Sequence, residues 1–188
     1  MINNLEIKMR KLWEQLHSEC MEQGEFFGSR RFGMDNEESD YDFYVLPSLY
    51  NKWADAVLKI MDTYSSSLKF DSTNACVFNV EGVEFVFNDN GGQYKNMPNK
   101  LKNFNSFKLT IGDNPTMNLL MVDDLKPYKE ISDMYQDMLG PRVLEMCRND
   151  KRFRHDLYTC VANSFLEDPS EQPRHNSGFV VTDDDIPF

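Results

Sequence analysis

The chain has 188 residues, of which 40% are hydrophobic, so it can bury one sizeable core and has little room for a second full domain. It contains no apolar run long enough to span a bilayer and no signal-peptide pattern, which predicts a cytoplasmic protein without membrane partners. The four cysteines lack close paired spacing, which argues against a zinc cage and against a disulfide framework. The net charge of −11 disfavours nucleic-acid binding only if it is evenly spread.

The first predicted element is an amphipathic helix over residues 4–22. Apolar side chains recur there at helical spacing, and Gly24 is placed to stop the helix. We expect this helix to pack on a sheet. The residues of its apolar stripe are Leu5, Met9, Leu12, Trp13, Leu16 and Cys20.

A strand, a tight turn and a short basic helix are predicted next. Phe26 and Phe27 form the strand, and Gly28-Ser29 turns the chain into a helix that carries Arg30 and Arg31. Free backbone N–H groups gather at such a helix start, and that arrangement suits phosphate.

A second strand follows within residues 39–46. Asp40 and Asp42 are two residues apart between apolar neighbours, so strand alternation places both carboxylates on one face. Adjacent carboxylates repel each other unless a cation lies between them, and Mg²⁺ is typically held by one or two carboxylates plus substrate phosphates. An ordinary turn followed by an edge strand with a solvated acidic face is the other interpretation of these two segments.

These two segments resemble the DNA polymerase β-like nucleotidyltransferase superfamily, whose signature is a hydrophobic strand, Gly-Gly or Gly-Ser, a spacer, and Asp-x-Asp/Glu between hydrophobics. Ten residues separate Ser29 from Asp40. The resemblance covers about residues 25–88. It implies two Mg²⁺ ions held at Asp40 and Asp42, and a nucleoside triphosphate whose phosphates lie on Gly28 and Ser29. Arg30 or Arg31 then offsets the charge of the leaving pyrophosphate, unless both arginines are merely solvated.

A helix over about 49–64 and a hairpin, residues 75–80 and 83–87 around a glycine turn, come next. Glu84 is a lone acid in the otherwise apolar second strand of the hairpin. The resemblance implies a third acidic residue on a later strand, and Glu84 occupies that place as a catalytic and metal-binding residue. A glutamate on the solvent face of an edge strand is the alternative.

Aromatic residues and lysines interleave in the segment 89–113. They either line a groove for a base or a nucleic-acid strand, or they form a mobile loop that leads into a helix with core rings and solvated lysines. Helical patterns then run from Leu125 to Leu166, with a break at Gly140-Pro141. The basic cluster 148–155 lies either at the active-site cleft or in a solvated turn.

The remaining residues, 168–188, have the composition of a disordered acidic tail. The tail ends in a partner-binding string, Asp183, Asp184, Asp185, Ile186, Pro187 and Phe188. This string resembles the C-terminal tip of bacterial single-stranded DNA-binding proteins. The resemblance implies docking on bacterial replication or repair factors that accept that tip; an alternative is that the tail folds back on the protein's own basic loop.

The predicted fold class is therefore α+β, a small mixed sheet flanked by helices at 1–167 with the tail at 168–188. Two functions fit. The first is a Mg²⁺-dependent nucleotidyltransferase that moves a nucleoside monophosphate to a hydroxyl of an RNA, a protein or a small molecule. The second is a non-catalytic interaction protein, encoded by a phage, that presents the tip on a transferase scaffold.

Overall fold

The computed structural model of the chain describes residues 4–63, 68–71, 75–80, 82–88 and 105–166, and its fold class is α+β, as predicted. The helices are α1 Asn4–Gln23, α2 Gly28–Arg31, α3 Pro47–Thr63, α4 Lys126–Met138, α5 Pro141–Asn149 and α6 Lys151–Leu166. The strands are β1 Glu25–Phe27, β2 Tyr41–Val45, β3 Leu68–Asp71, β4 Ala75–Val80, β5 Val83–Asn88, β6 Ser106–Ile111 and β7 Met117–Met121.

The strands of the described chain form one mixed sheet in the order β1-β2-β7-β6-β5-β4-β3. β2 and β7 run parallel to each other, and every other neighbouring pair is antiparallel. The acidic strand β2 is thus an interior strand with β1 on one side and β7 on the other. It is not the edge strand that one interpretation of the sequence required.

One face of the sheet carries the main core. Helices α1 and α3 cover this face, and Phe43, Phe107 and Leu119 point into it with almost no exposed surface. Strand alternation sends the intervening residues of β2, β6 and β7 to the other face. Because burial of apolar area is the dominant favourable term in folding, this core fixes which face each polar residue of those strands must take.

The C-terminal helices form a second cluster, in which Phe32 and Met34 from the loop after α2 pack with Tyr135 and Cys147. A third, aromatic cluster joins this layer to the sheet. The ring of Tyr44 stacks on Phe27 at a centroid distance of 3.9 Å and lies 4.2 Å from the ring of Tyr128 in α4. Tyr44, near the end of β2, is therefore covered on the second face of the sheet. The aromatic cluster does not include Asp42, near the start of β2, or Asp40, just before it.

The first helix, the hairpin and the helices after residue 125 are confirmed. The expectation of a helix within 89–113 is wrong at its described end, because Ser106–Ile111 alternates polar and apolar residues and forms strand β6. Residues 89–104 and the tail 168–188 lie outside the described residues. No helix of the described ranges is long and apolar enough to cross a membrane.

Candidate functional site

Asp40 and Asp42 meet at the amide of Asn118. Asp42 lies in β2 directly opposite Asn118 of β7, so both side chains leave the same face of the sheet. The Asn118 Nδ2 group donates to Asp42 Oδ1 at 2.8 Å and to Asp40 Oδ2 at 3.0 Å. One amide therefore holds the two carboxylates side by side, as strand alternation predicted for the pair.

Gly28 lies against the same carboxylate. Its neighbour Phe27 is paired with Asp42 across β1 and β2, and the Gly28 backbone has φ +80. A Cβ atom built on Gly28 would collide with Asp42 Oδ2. Only glycine satisfies both the backbone angle and this close approach. The predicted turn and the predicted acid pair thus form one site.

Burial dominates the ionisation of Asp42. Only 2% of its surface is exposed, and this burial raises the pKa of Asp42 to about 7 from 3.8, against the opposing effect of the Asn118 hydrogen bond. The Asp40 carboxylate raises the pKa of Asp42 further, while the charges of Lys108 and Arg30 lower it. A cation beside Asp42 would favour the ionised carboxylate, because it would offset the cost of holding that charge out of water.

The two arginines of the turn contact protein groups. Arg30 donates from Nε to the Ser39 carbonyl oxygen at 2.8 Å, and its guanidinium lies 4.5 Å from the centre of the Tyr41 ring. It thus ties α2 to the segment that leads into β2. Arg31 instead donates to Gln136 Oε1 at 3.0 Å, which ties α2 to α4. These contacts give both arginines a structural role in addition to the phosphate role that the resemblance implies.

Glu84 is not brought to the aspartates. It lies in β5, paired with Thr110 of β6, and the strand order places β6 and β7 between β5 and β2. At about 4.8 Å per strand, three steps separate Glu84 from β2 by roughly 14 Å. The register thus removes Glu84 from the metal triad that we expected it to complete. β5 is also not an edge strand, because it pairs with β4 and β6.

Sequence reasoning missed Asn118 and strand β7 altogether. The signal was present in β6, where polar Ser106, Lys108 and Thr110 alternate with buried apolar residues, followed by a glycine turn and a second apolar segment. In the register of β6 with β7, Lys108 lies directly opposite Asn118. One face of the sheet thus carries Asp42 on β2, Asn118 on β7 and Lys108 on β6, with Asp40 beside Asp42.

The candidate metal ligands of this site are the carboxylates of Asp40 and Asp42. Carboxylate oxygens are the hard ligands that Mg²⁺ takes together with substrate phosphates. The described residues contain no group of three or more His, Cys, Asp or Glu side chains arranged to hold a metal ion. The expectation of two ions at three acids is thus not matched by the residues that meet here.

The basic cluster 148–155 spans the end of α5 and the start of α6, and several of its side chains make contacts within the protein. Arg148 donates from Nε and Nη2 to the Gly33 carbonyl oxygen at 2.9 and 2.6 Å, and Asp150 caps α6 through the Phe153 N–H. Arg152 lies within 3.9 Å of Asp156, one helical turn further on. These contacts give Arg148, Asp150 and Arg152 structural roles around the junction of α5 and α6. The six tip residues, 183–188, lie outside the described residues.

Comparisons with protein-family models, curated proteins and solved structures found no match for this chain. Its function is therefore inferred from its own residues.

Proposed function

We propose that the chain is a Mg²⁺-dependent nucleotidyltransferase of the kind that the DNA polymerase β-like superfamily represents. The observation that supports this most directly is that Asp40 and Asp42 share the Asn118 amide while Gly28 lies against Asp42 Oδ2. The turn expected to bind phosphate and the acids expected to bind a cation are about ten residues apart in sequence, and they lie in contact.

Asp40 and Asp42 would hold Mg²⁺, with Asn118 fixing the orientation of both carboxylates. The turn at Gly28 and Ser29 offers backbone N–H groups for the phosphates of a nucleoside triphosphate. The bound ion would neutralise charge that develops on the phosphates as an acceptor hydroxyl attacks the α-phosphorus and pyrophosphate leaves. Arg30, held beside the turn by Ser39 and Tyr41, adds a fixed positive charge close to Asp42.

The test is transfer of label from each of the four α-³²P nucleoside triphosphates, with Mg²⁺, to total cell RNA or to lysate proteins. The inactive control is Asp40→Asn/Asp42→Asn, which keeps the shapes of the side chains. The matched control is Asp55→Asn/Asp137→Asn, which removes two exposed carboxylates from α3 and α4. We expect label from the wild type and the matched control only. Equal label in all three proteins, or none in any, would refute the transferase.

A second function rests on the terminal string of the sequence, Asp183 to Phe188. We propose that this tip docks on bacterial replication or repair proteins that accept the tip of the single-stranded DNA-binding protein. The Phe188 ring suits an apolar pocket, and the three aspartates suit a basic rim. This function is compatible with the transferase and also stands without it, as a non-catalytic interaction protein.

A competition assay tests the tip. A fluorescent Asp-Asp-Asp-Ile-Pro-Phe peptide is bound to a bacterial repair protein that accepts such tips, and the full chain is added. We expect the full chain to displace the peptide and a chain lacking Pro187 and Phe188 not to do so. Displacement by both chains, or by neither, would contradict the docking function.

A further inference from the structure

The basic cluster 148–155 presents positive charge at the surface of an acidic protein. Four arginine and lysine residues and one aspartate give it a net charge of +3, in a chain whose total is −11. Arg148, Lys151 and Arg152 are exposed, and the Arg152 side chain is 92% exposed although it lies 3.9 Å from Asp156. The contacts of the cluster within the protein therefore leave positive charge that faces solvent and attracts acidic groups.

Apolar surface lies beside these charges on α6. Phe153 is flanked in sequence by Arg152 and Arg154, and Leu157 is one helical turn further along the same side of the helix. Phe153 and Leu157 pack against the buried cluster of the C-terminal helices, and both remain partly exposed. A ligand that fits this surface therefore combines apolar side chains with negative charge.

Residues 179–188 of the same chain have this composition. Three consecutive aspartates stand there between two short apolar groups, Phe179-Val180-Val181 and Ile186-Pro187-Phe188. The longer segment 167–188 contains six acidic residues and one arginine, which give it a net charge of −5. One polypeptide thus contains both a basic surface with apolar side chains and an acidic segment with apolar side chains.

The part of the chain that joins the two is long enough to let them meet. Helix α6 ends at Leu166, and Phe153 lies 13 residues before that end, which is about 20 Å along the helix at 1.5 Å per residue. The 12 residues of 167–178 can span at most about 40 Å. A tethered segment that reaches its site has an effective concentration on the order of 1 mM, so a contact with a Kd of about 0.1 mM would be mostly occupied.

We propose that residues 179–188 dock on the surface of α6 that the basic cluster 148–155 and Leu157 form, within the same chain. The three aspartates lie beside Arg152, and the apolar side chains on either side of them cover Phe153 and Leu157. Salt screens the charged part of this contact and does not weaken the apolar part. The contact needs neither proposed function. If the tip also docks on other proteins, it must first leave α6, so this surface would regulate that docking.

The test uses a fluorescent peptide of residues 179–188, added at low salt to full chains. In Asp183→Asn/Asp184→Asn/Asp185→Asn the tail of the chain no longer competes, so this triple variant should bind the peptide. The wild type should bind it at least about tenfold more weakly, because its own tail occupies the surface. Fluorescence anisotropy measures both dissociation constants, and urea denaturation establishes that each protein is folded.

Two further changes, each made in the triple variant, locate the surface. Lys151→Gln/Arg152→Gln removes two exposed charges beside Phe153 and should weaken peptide binding about tenfold. Lys8→Gln/Lys11→Gln is the matched control, because it removes two exposed lysines from α1 and changes the net charge by the same amount. It should leave peptide binding unchanged.

Every other outcome overturns the proposal. Equal affinity in the wild type and the triple variant would mean that the tail does not occupy the surface in its own chain. Equal losses in the α1 and α6 variants would mean that the peptide responds to net charge alone. Binding that survives Lys151→Gln/Arg152→Gln would place the site elsewhere, and no binding to the triple variant would mean that the surface takes a different partner. None of these results bears on the transferase.

Discussion

Gly28 is the residue at which the turn after β1 touches the acid pair, and its replacement gives the sharpest test at this scale. In Gly28→Ala the positive φ costs about 1–2 kcal/mol. The new Cβ also pushes Asp42 away from Asn118, and loss of hydrogen bonds to a charged group costs about 1.5–3 kcal/mol more. We therefore expect the free energy of unfolding to fall by roughly 3 kcal/mol or more, measured by urea denaturation.

Gly82→Ala is the matched control. Gly82 has the same φ of +80, but nothing lies within 4 Å of a Cβ built there. Only the cost of the backbone angle applies, so about 1–2 kcal/mol should be lost. Equal losses in the two variants would show that the contact between Gly28 and Asp42 is unimportant for folding.

The pH dependence of stability reports on Asp42. Burial raises the pKa of folded Asp42 to about 7, against 3.8 for the unfolded reference. Between these values the folded protein holds a proton that the unfolded chain has released, so the free energy of unfolding falls as pH rises through that window. The full shift corresponds to at most about 4 kcal/mol.

Asp42→Asn should remove this contribution. In the presence of a chelator, the variant gains stability relative to the wild type as pH rises from about 4 to about 7. The difference is then constant above that range. Urea denaturation of both proteins across the window measures it. Parallel curves for the two proteins would mean that Asp42 does not change its protonation there.

At the scale of elements, Arg148 links helix α5 to the loop that follows α2. Its two hydrogen bonds to the Gly33 carbonyl oxygen are solvent-exposed, so we expect Arg148→Ala to cost about 1 kcal/mol of unfolding free energy. Arg142→Ala, an exposed arginine of the same helix, should cost nothing measurable. Urea denaturation of the wild type and both variants measures these changes in unfolding free energy. Weaker binding of a nucleotide analogue by Arg148→Ala at unchanged stability would contradict the structural role and favour the triphosphate contact.

The elements with a strong periodic pattern were predictable from the sequence. The helix from Asn4 and the hairpin of β4 and β5 follow from helical spacing and from two apolar runs around a glycine turn. The acid pair on one face of β2 follows from alternation alone. What fails is the choice of neighbour for β2.

Strand order depends on contacts between residues that are distant in sequence, which periodicity does not contain. Glu84 and Asn118 both lie on strands after the acid pair, and only the parallel register of β2 with β7 places Asn118 there. Because a third metal ligand is expected to be charged, the sequence favours Glu84 over the neutral Asn118. The site thus differs from expectation at the residue beside Asp42. That residue is Asn118, and the pairing of two strands distant in sequence places it there.

At the scale of the whole molecule, the three hydrophobic clusters found among the described residues share the segment that carries the Gly28 turn. Phe26 packs toward the core under α1 and α3, Phe27 joins the aromatic cluster with Tyr44, and Phe32 enters the core of α4 to α6. Residues 26–34 are therefore held from both sides. The turn is positioned by the joint packing of the sheet and the C-terminal helices rather than by either alone.

This shared segment predicts that the sheet and the C-terminal helices unfold together. Both tryptophans, Trp13 and Trp53, pack on the α1 and α3 side, so their fluorescence reports the sheet core, while far-ultraviolet circular dichroism also reports α4 to α6. In a urea titration the two signals of the wild type should have coincident midpoints. Phe32 is 3% exposed, so Phe32→Ala should cost about 3–5 kcal/mol and, if the two parts unfold together, lower the midpoints of both signals equally. Met146→Ala, 44% exposed on α5, should leave both midpoints in place. Separate midpoints in the wild type would mean that the helices fold independently of the turn.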